Sequence, residues 1–535
     1  MLAHAVFHAT ENCDEEFQQT VQAAKQYIED AGGVEAVVKR YGKDKTFSIP
    51  ILTHCALAGL VSWKEISALP FELACLPPQF YKTVRLPVVS YALPALIAIG
   101  QVRHYFRKPW NPFLRLIRKW AIKPSLRRLE SIQPENGGFL EAAPLTSFVT
   151  MSLAAMGLHT HPVARKGLQF LKDSVRPDGS WPIDTNLATW VTTLSVNALK
   201  DDVPESSCPN IFNWLIGQQY KVVHPYTNAD PGGWAWTDLP GGVPDADDTP
   251  GAMLALMQLS SQLEQAGKFT AEQQSQTSEA LVNAANWLMD LQNRDGGFPT
   301  FCRGWGTLPF DRSSADITAH CLRALFAWFV KRYSIEPVSG LKMGWTLPDR
   351  DSWRPYRAIQ RGFEFLSKVQ RTDGSWLPLW FGNQHGPDDE NPTYGTARVL
   401  AAYRDCGRMD SESAQRGLQW LVKNQNEDGG WGGLLGIDSS VEETALATEI
   451  LVSVSPESDS AQRGIAWILD RVDAGTFGET TPIGFYFAKL WYFERLYPFS
   501  FMVSALKRAV ESDADNLESS SPIGIPQEAV TRNEQ

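Results

Sequence analysis

Ala414-Gln-Arg-Gly-Leu-Gln-Trp-Leu-Val-Lys-Asn-Gln425, running into Asp428-Gly-Gly-Trp431, is the stretch on which the fold turns. Leu418, Trp420 and Leu421 fall at helical spacing, and the Asp-Gly pair supplies the turn that ends the helix. The pattern returns in Ile359 to Gln370 with Asp373-Gly-Ser-Trp376, and in Ala284 to Gln292 with Asp295-Gly-Gly-Phe298. Weaker copies are Ala164 to Val175 with Asp178-Gly-Ser-Trp181, and Gln133 with Gly137-Gly-Phe139; Ala461-Gln-Arg-Gly-Ile-Ala-Trp467 is a degenerate last one. Units repeated at spacings of tens of residues are stacked supersecondary structures. Each copy reads as an amphipathic helix, a turn and a second helix. Gln is expected to bond a free backbone group at a helix end while the indole packs over it, a structural role that sets both apart from any site.

Repeated helix pairs close into α/α barrels, so the expected class is all-α with two such barrels, residues 45–235 and 236–510. A segment 1–44 is expected to pack its helix, Glu15 to Asp30, on the second barrel, and the polar tail 511–535 is expected to be disordered. The 535 residues with 43% apolar content suffice for two domains and a large core. A net charge of −11 argues against nucleic-acid binding. Seven cysteines (13, 55, 75, 208, 302, 321, 406) without CxxC spacing read as reduced, mostly buried thiols of a cytosolic protein. Asp14, Glu15 and Glu16 near the N-terminus speak against a signal peptide. The longest apolar stretch, Leu86 to Ile99, is broken by Pro87 and Pro94 and is too short to span a bilayer. The expected location is cytoplasmic, on at most one membrane face.

One run is chemically pointed: Asp245-Ala-Asp-Asp-Thr249. By itself it is as readily a solvated acidic turn before a helix carrying Pro250 in its first turn. Clustered carboxyls with a cationic or hydrogen-bonding partner can instead hold one proton poised for donation.

The repeats followed by Pro244-Asp245-Ala-Asp247-Asp248-Thr249 resemble the squalene–hopene cyclase family of protonation-initiated (class II) terpene cyclases, from about Pro50 to Leu506. The resemblance implies two α/α barrels with a cavity at their junction, and cyclisation of a linear isoprenoid such as squalene. It makes Asp247 the proton donor, with Asp245 and Asp248 shaping its hydrogen bonding. His320, in Ala315-Asp316-Ile-Thr-Ala-His320, matches the segment whose histidine bonds the acid cluster; i, i+4 spacing puts Asp316 and His320 on one helix face. A protonated His320 would sharpen the donor, and Tyr394 would relay a proton through water. Trp236, Phe301 and Trp380 match rings that wall the cavity and stabilise cationic charge without reacting. Tyr486 and Phe487 are further wall candidates, in an expected helix from Phe485 to Tyr492.

Several positions depart from the family: Thr146 where a cavity Trp is frequent, Pro482 near a Phe position, an enlarged acidic loop from Asn383 to Pro392, and Lys489. They put substrate length in doubt and keep two alternatives open. One is a class II cyclase of a shorter prenyl diphosphate, clamped by Arg303, Arg312 and Lys489. The other is a non-catalytic isoprenoid-binding α/α-barrel protein. No metal and no cofactor are expected. Residues 101–130 hold nine Lys/Arg against one acid, Glu130, interleaved with Tyr105, Phe106, Trp110, Phe113 and Trp120. That patch reads as either a solvated basic helix or an interfacial surface meeting anionic lipid, and the resemblance implies monotopic attachment. The expected partners are thus a hydrophobic isoprenoid, a membrane surface and a second copy in a homodimer.

Overall fold

The computed structural model describes residues 1–10, 15–41, 47–77, 80–81, 92–225, 227–301, 312–334, 353–485 and 490–520. Its N-terminal unit comprises α1 (Leu2–Thr10), α2 (Glu15–Asp30), α3 (Gly33–Tyr41), α4 (Ser48–Leu57), α5 (Leu93–Phe106), α6 (Pro112–Ser131), α7 (Ala143–Ala155) and α8 (Pro162–Asp173). Helices α4, α5 and α7 pack on one another, with α6 and α8 outside them. The expected seat of α2 on the second barrel is corrected here: it packs on α1 and α3, and α3 packs on α4. What reaches the other unit is an ion pair between Arg40 on α3 and Asp389, 3.8 Å apart.

The second unit is a closed double ring. It contains α9 (Ala188–Leu199), α10 (Cys208–Gly217), α11 (Asp248–Gln265), α12 (Ala271–Leu291), α13 (Ala315–Tyr333), α14 (Trp353–Val369), α15 (Pro392–Asp405), α16 (Glu412–Lys423), α17 (Val441–Val454), α18 (Asp459–Asp473) and α19 (Leu496–Ser520). Each of α9, α11, α13, α15, α17 and α19 packs on the next, and α19 returns to α9. The even-numbered helices pack outside them. Sequence chemistry sorts the two layers. Outer α16 buries only Ala414, Gly417, Trp420 and Leu421, a single stripe opened by Ser411 capping the Ala414 N–H. Inner α17 buries Val441 through Thr448 without a break, because neighbours cover it all round. The ring takes in α9, which the repeat spacing had grouped with the preceding barrel.

The Gln–Trp pairs are clamps, with the two roles exchanged relative to expectation. The Trp431 indole N–H donates to Leu421 O at the end of α16, 2.9 Å away, and Trp376 does the same to Leu366 O of α14 at 2.7 Å. Gln425 instead bridges the turn to the next outer helix, donating to Gly429 O (2.8 Å) and Ser460 O (2.9 Å). Gly429 has φ +92°, and a Cβ there would stand 3.0 Å from Arg463 O, so only glycine fits the turn. Gln219 and Trp234 form a further copy, with bonds to Gly232 O, Ala280 O and Leu215 O. Fourteen residues separate its Gln from its Trp, against five between Gln370 and Trp376 and between Gln425 and Trp431, which hid it among the other copies.

An inner-helix threonine completes five of the copies. Thr249, Thr318, Thr396 and Thr444 accept the N–H of Trp234, Phe298, Trp376 and Trp431, and Thr146 accepts that of Phe139 in the same way. Thr146 is therefore a repeat threonine and not a remodelled cavity position. Two further expectations change. Within the aromatic run expected as a helix, β1 (Ile483–Phe485) instead pairs antiparallel with β2 (Leu490–Tyr492). Its residues favour a pleated surface, and Gly484 O accepts a bond from Gly382 N at 3.0 Å. Helix α19 runs on to Ser520, past the start of the expected disordered tail, with Glu511 held by Lys200 (2.6 Å) and Arg508 (2.9 Å).

Candidate active site

The acid run sits where the chain enters α11. Asp245 N donates to Trp234 O (2.9 Å), which pins the run to the neighbouring clamp. The Asp245 carboxyl turns inward, and its Oδ1 accepts the N–H groups of Asp247 (2.9 Å) and Asp248 (2.8 Å). Asp245 therefore ties up the run's own backbone, while Asp247 caps α11 without a side-chain bond of its own. Asp245 and Asp248 are buried; Asp247 alone of the three retains accessible surface although protein surrounds it on every side.

Burial raises all three carboxyls: Asp245 to about 7, Asp247 and Asp248 well above the ordinary range. Asp247 is pushed further by Asp316 and Asp245, against the opposite pull of Arg398. This favours the protonated form of Asp247. The positive end of α11 and the Arg398 guanidinium favour the carboxylate that would remain after the proton leaves. Arg398, one turn beyond Tyr394 on α15, lies 5.8 Å from the Tyr394 ring centre.

His320 stands beside the first turn of α11, where a Cβ on Gly251 would lie 3.4 Å from its Nε2. The expected imidazolium is corrected: burial first, then Arg398 and Arg323, hold His320 well below its ordinary pKa and hence neutral. The cation near the acids is Arg398. Asp316, on the same helix as His320, accepts from Ser314 Oγ and from Leu379 N (3.2 Å), which joins the acid end to the segment carrying Trp380.

The expected wall assembles. Trp236 and Phe301 have ring centres 6.0 Å apart, and Phe301 and Trp380 meet edge to face at 6.2 Å. Trp380 Nε1 donates to Thr300 Oγ1 (3.2 Å), while Thr300 O accepts from Ala246 N (2.8 Å), inside the acid run. These rings join the cores of the two helical units, with Val243 and Phe139 on the N-terminal side. Tyr394 is buried, packs against Phe381 at 4.4 Å, and has its hydroxyl pKa raised by burial and held raised by Asp316 and Asp247. Tyr486, Phe487, Lys489 and Arg303 lie outside the described residues. Arg312 is exposed and Pro482 is half-buried beside β1.

Sequence reading missed a second aromatic group. Trp190 on α9 donates to Tyr497 Oη on α19 (2.8 Å), Tyr497 stacks on Phe501 (5.6 Å), and Phe381 meets Tyr497 at 6.2 Å. Trp190 also meets His320 edge to face at 6.3 Å. Ring closure assembles this group, and no local motif marks it. Among the described residues, no group of three or more His, Cys, Asp or Glu side chains is arranged to hold a metal ion.

Comparison with known proteins follows the same lines. Residues 186–511 match the squalene-hopene cyclase C-terminal domain family. The chain is 25% identical to enfumafungin synthase of Hormonema carpetanum, over 90% of this chain but 40% of that protein. It is 23% identical to a squalene–hopene cyclase of Bradyrhizobium diazoefficiens, over 77% of this chain and 69% of the relative. A terpene cyclase–glycosyl transferase fusion protein of Humicola fuscoatra is 27% identical and is spanned over only 28% of its length. Among solved structures, ent-copalyl diphosphate synthase from Streptomyces platensis aligns with a TM-score of 0.49 and 17% identity, over 90% of this chain and 92% of that one.

Proposed function

Because the chain belongs to the squalene-hopene cyclase C-terminal domain family, we propose that it is a class II terpene cyclase that folds a linear triterpene into a polycyclic product. One observation carries the reading: Asp247 is the one carboxyl of its run that is not fully buried, and burial with Asp316 and Asp245 raises its pKa and favours the protonated form. Asp247 adds its proton to a terminal alkene, and the ring-closing cation then travels along Trp236, Phe301 and Trp380, whose faces stabilise it without trapping it. Asp245 fixes the run, neutral His320 packs beside the first turn of α11, and Arg398 stabilises the carboxylate left behind. Tyr394 serves the return of the proton. The relatives named squalene–hopene cyclase support squalene as the substrate.

No described helix is long and apolar enough to cross a membrane. Trp110, Phe113 and Trp120 are 92%, 70% and 70% exposed on and beside basic α6, which supports peripheral attachment to anionic lipid. The expected assembly is two copies on one membrane face. Incubation of purified protein with squalene, geranylgeranyl diphosphate and farnesyl diphosphate tests the reaction. Cyclic product from squalene is expected. Cyclic product from a diphosphate alone overturns the substrate, and an Asp247→Asn protein that cyclises at the unmodified rate overturns the mechanism.

A further inference from the structure

Protonation explains one carboxyl, yet a second deep carboxyl is left without a task. Asp184 lies where the two helical units meet. It bridges to Ala142 through the backbone, with Ile183 O accepting from Ala143 N (3.2 Å) and Thr185 N donating to Glu141 O (3.1 Å). Its neighbour Glu141 is fully engaged: Oε1 accepts from Asn136 Nδ2 and Gly241 N, both at 2.7 Å, and Oε2 from Thr185 Oγ1 at 2.8 Å. Among the described residues, the Asp184 carboxyl has no hydrogen-bond or ion-pair partner. Like Asp247, it is surrounded by protein on every side and still retains accessible surface. A partly buried carboxyl without partners has a desolvation cost and no structural return.

Its position relative to the acid is informative. The Tyr492 hydroxyl, bonded to Tyr497, is within electrostatic reach of both Asp184 and Asp247. The segment that carries Asp184 also runs to the aromatic wall: Asn186 accepts from Thr237 Oγ1, and Trp236 O accepts from Thr189 N (3.0 Å) and Trp190 N (3.2 Å). Burial and Glu141 raise it to about 7, so both of its protonation states are accessible near neutrality.

We propose that Asp184 is the base that ends the cyclisation, an inference that rests on the proposed cyclase reading. The Asp184 carboxylate removes a proton from the carbon next to the final cation, and the C–H electron pair becomes the product double bond. Asp247 is left ionised and Asp184 protonated. Transfer of that proton through Tyr492 and its hydroxyl partners restores both, so the reaction is a net isomerisation.

The test uses whichever of squalene, geranylgeranyl diphosphate and farnesyl diphosphate the unmodified protein cyclises; cyclisation of none overturns the parent reading instead. Asp184→Asn is expected to keep its melting temperature, to lose turnover by about 10²-fold, and to divert the remaining flux from alkene to water-captured alcohol. Asp184→Glu is expected to give alkene again, with an altered rate or double-bond position. An Asn variant with the unmodified rate and alkene-to-alcohol ratio overturns the proposal and leaves the cyclase reading standing. If the Asn variant fails to fold, the Glu variant decides: alkene retained with an altered position of the double bond supports the proposal, and the unmodified rate and product overturn it.

Discussion

The closed ring and the N-terminal layer use one device to opposite ends. In the ring, Trp234, Trp376 and Trp431 are wholly buried and each N–H closes a helix end. In the N-terminal layer, Trp181 makes the same bond to Leu171 O (2.7 Å) while 51% exposed, and Phe139 stands in a Trp place and can make no such bond. Rigidity is concentrated where the acid is held. The looser layer contributes the remote part of the wall and the exposed aromatic, basic face of α6. A proton donor must be placed to a fraction of an ångström, whereas a membrane face tolerates adjustment.

Trp376→Ala against Trp181→Ala is the sharpest way to break this contrast. The first is expected to cost about 3–5 kcal/mol, as for a buried Trp, and the second less than about 1 kcal/mol. Denaturant unfolding measures both, and equal losses would remove the distinction. Next in size, Arg398→Met takes away the cation that offsets Asp247, and cyclisation is expected to slow about tenfold or more with little change in melting. An unchanged rate would exclude Arg398 from the acid's surroundings.

A pH series probes the strain stored in the ring. Asp245 and Glu442 are raised to about 7 by burial, whereas an unfolded carboxyl ionises near 4. Their contribution to stability is therefore fully present below about pH 4 and is lost as pH rises to about 7. Asp405, held low by Arg323 and Arg404 despite its burial, acts oppositely and only in strong acid. Melting at pH 8 is expected a few degrees below that at pH 5, and a flat profile would contradict the raised carboxyls. The smallest effect on the fold belongs to Trp110→Ala. It is expected to shift stability by no more than about 0.5 kcal/mol while weakening sedimentation with anionic vesicles. Unaltered vesicle binding would leave α6 a solvated basic helix.

Much of this was legible in the residues because it is local. The repeats announced the helix pairs, and Asp245–Thr249 announced the acid, since the groups that bond one another there are two and three positions apart. Trp236, Phe301 and Trp380 were found because they match rings of the family that the sequence resembles. Arg398, Trp190, Tyr497 and Asp184 were not legible. Their neighbours in space are far off in sequence, and an arginine on a helix or an aspartate in a turn is commonly just solvated. The strand pair at Ile483–Phe485 and Leu490–Tyr492 was misread because a short aromatic run carries no decisive period.

The bond from Trp190 to Tyr497 joins residues 307 apart. At a synthesis rate of about 5–20 residues per second, the ribosome needs on the order of 15–60 s between making one partner and the other. Throughout that interval α9 has only one inner-ring neighbour to lean on, and the apolar inner helices lie open to water and to other nascent chains. Loop closure over such a span is also slow for a chain already released. Yield in a cell is therefore governed by how well chaperones shield a half-made ring, and slowing translation or adding a holdase should raise soluble protein without changing the activity of each molecule.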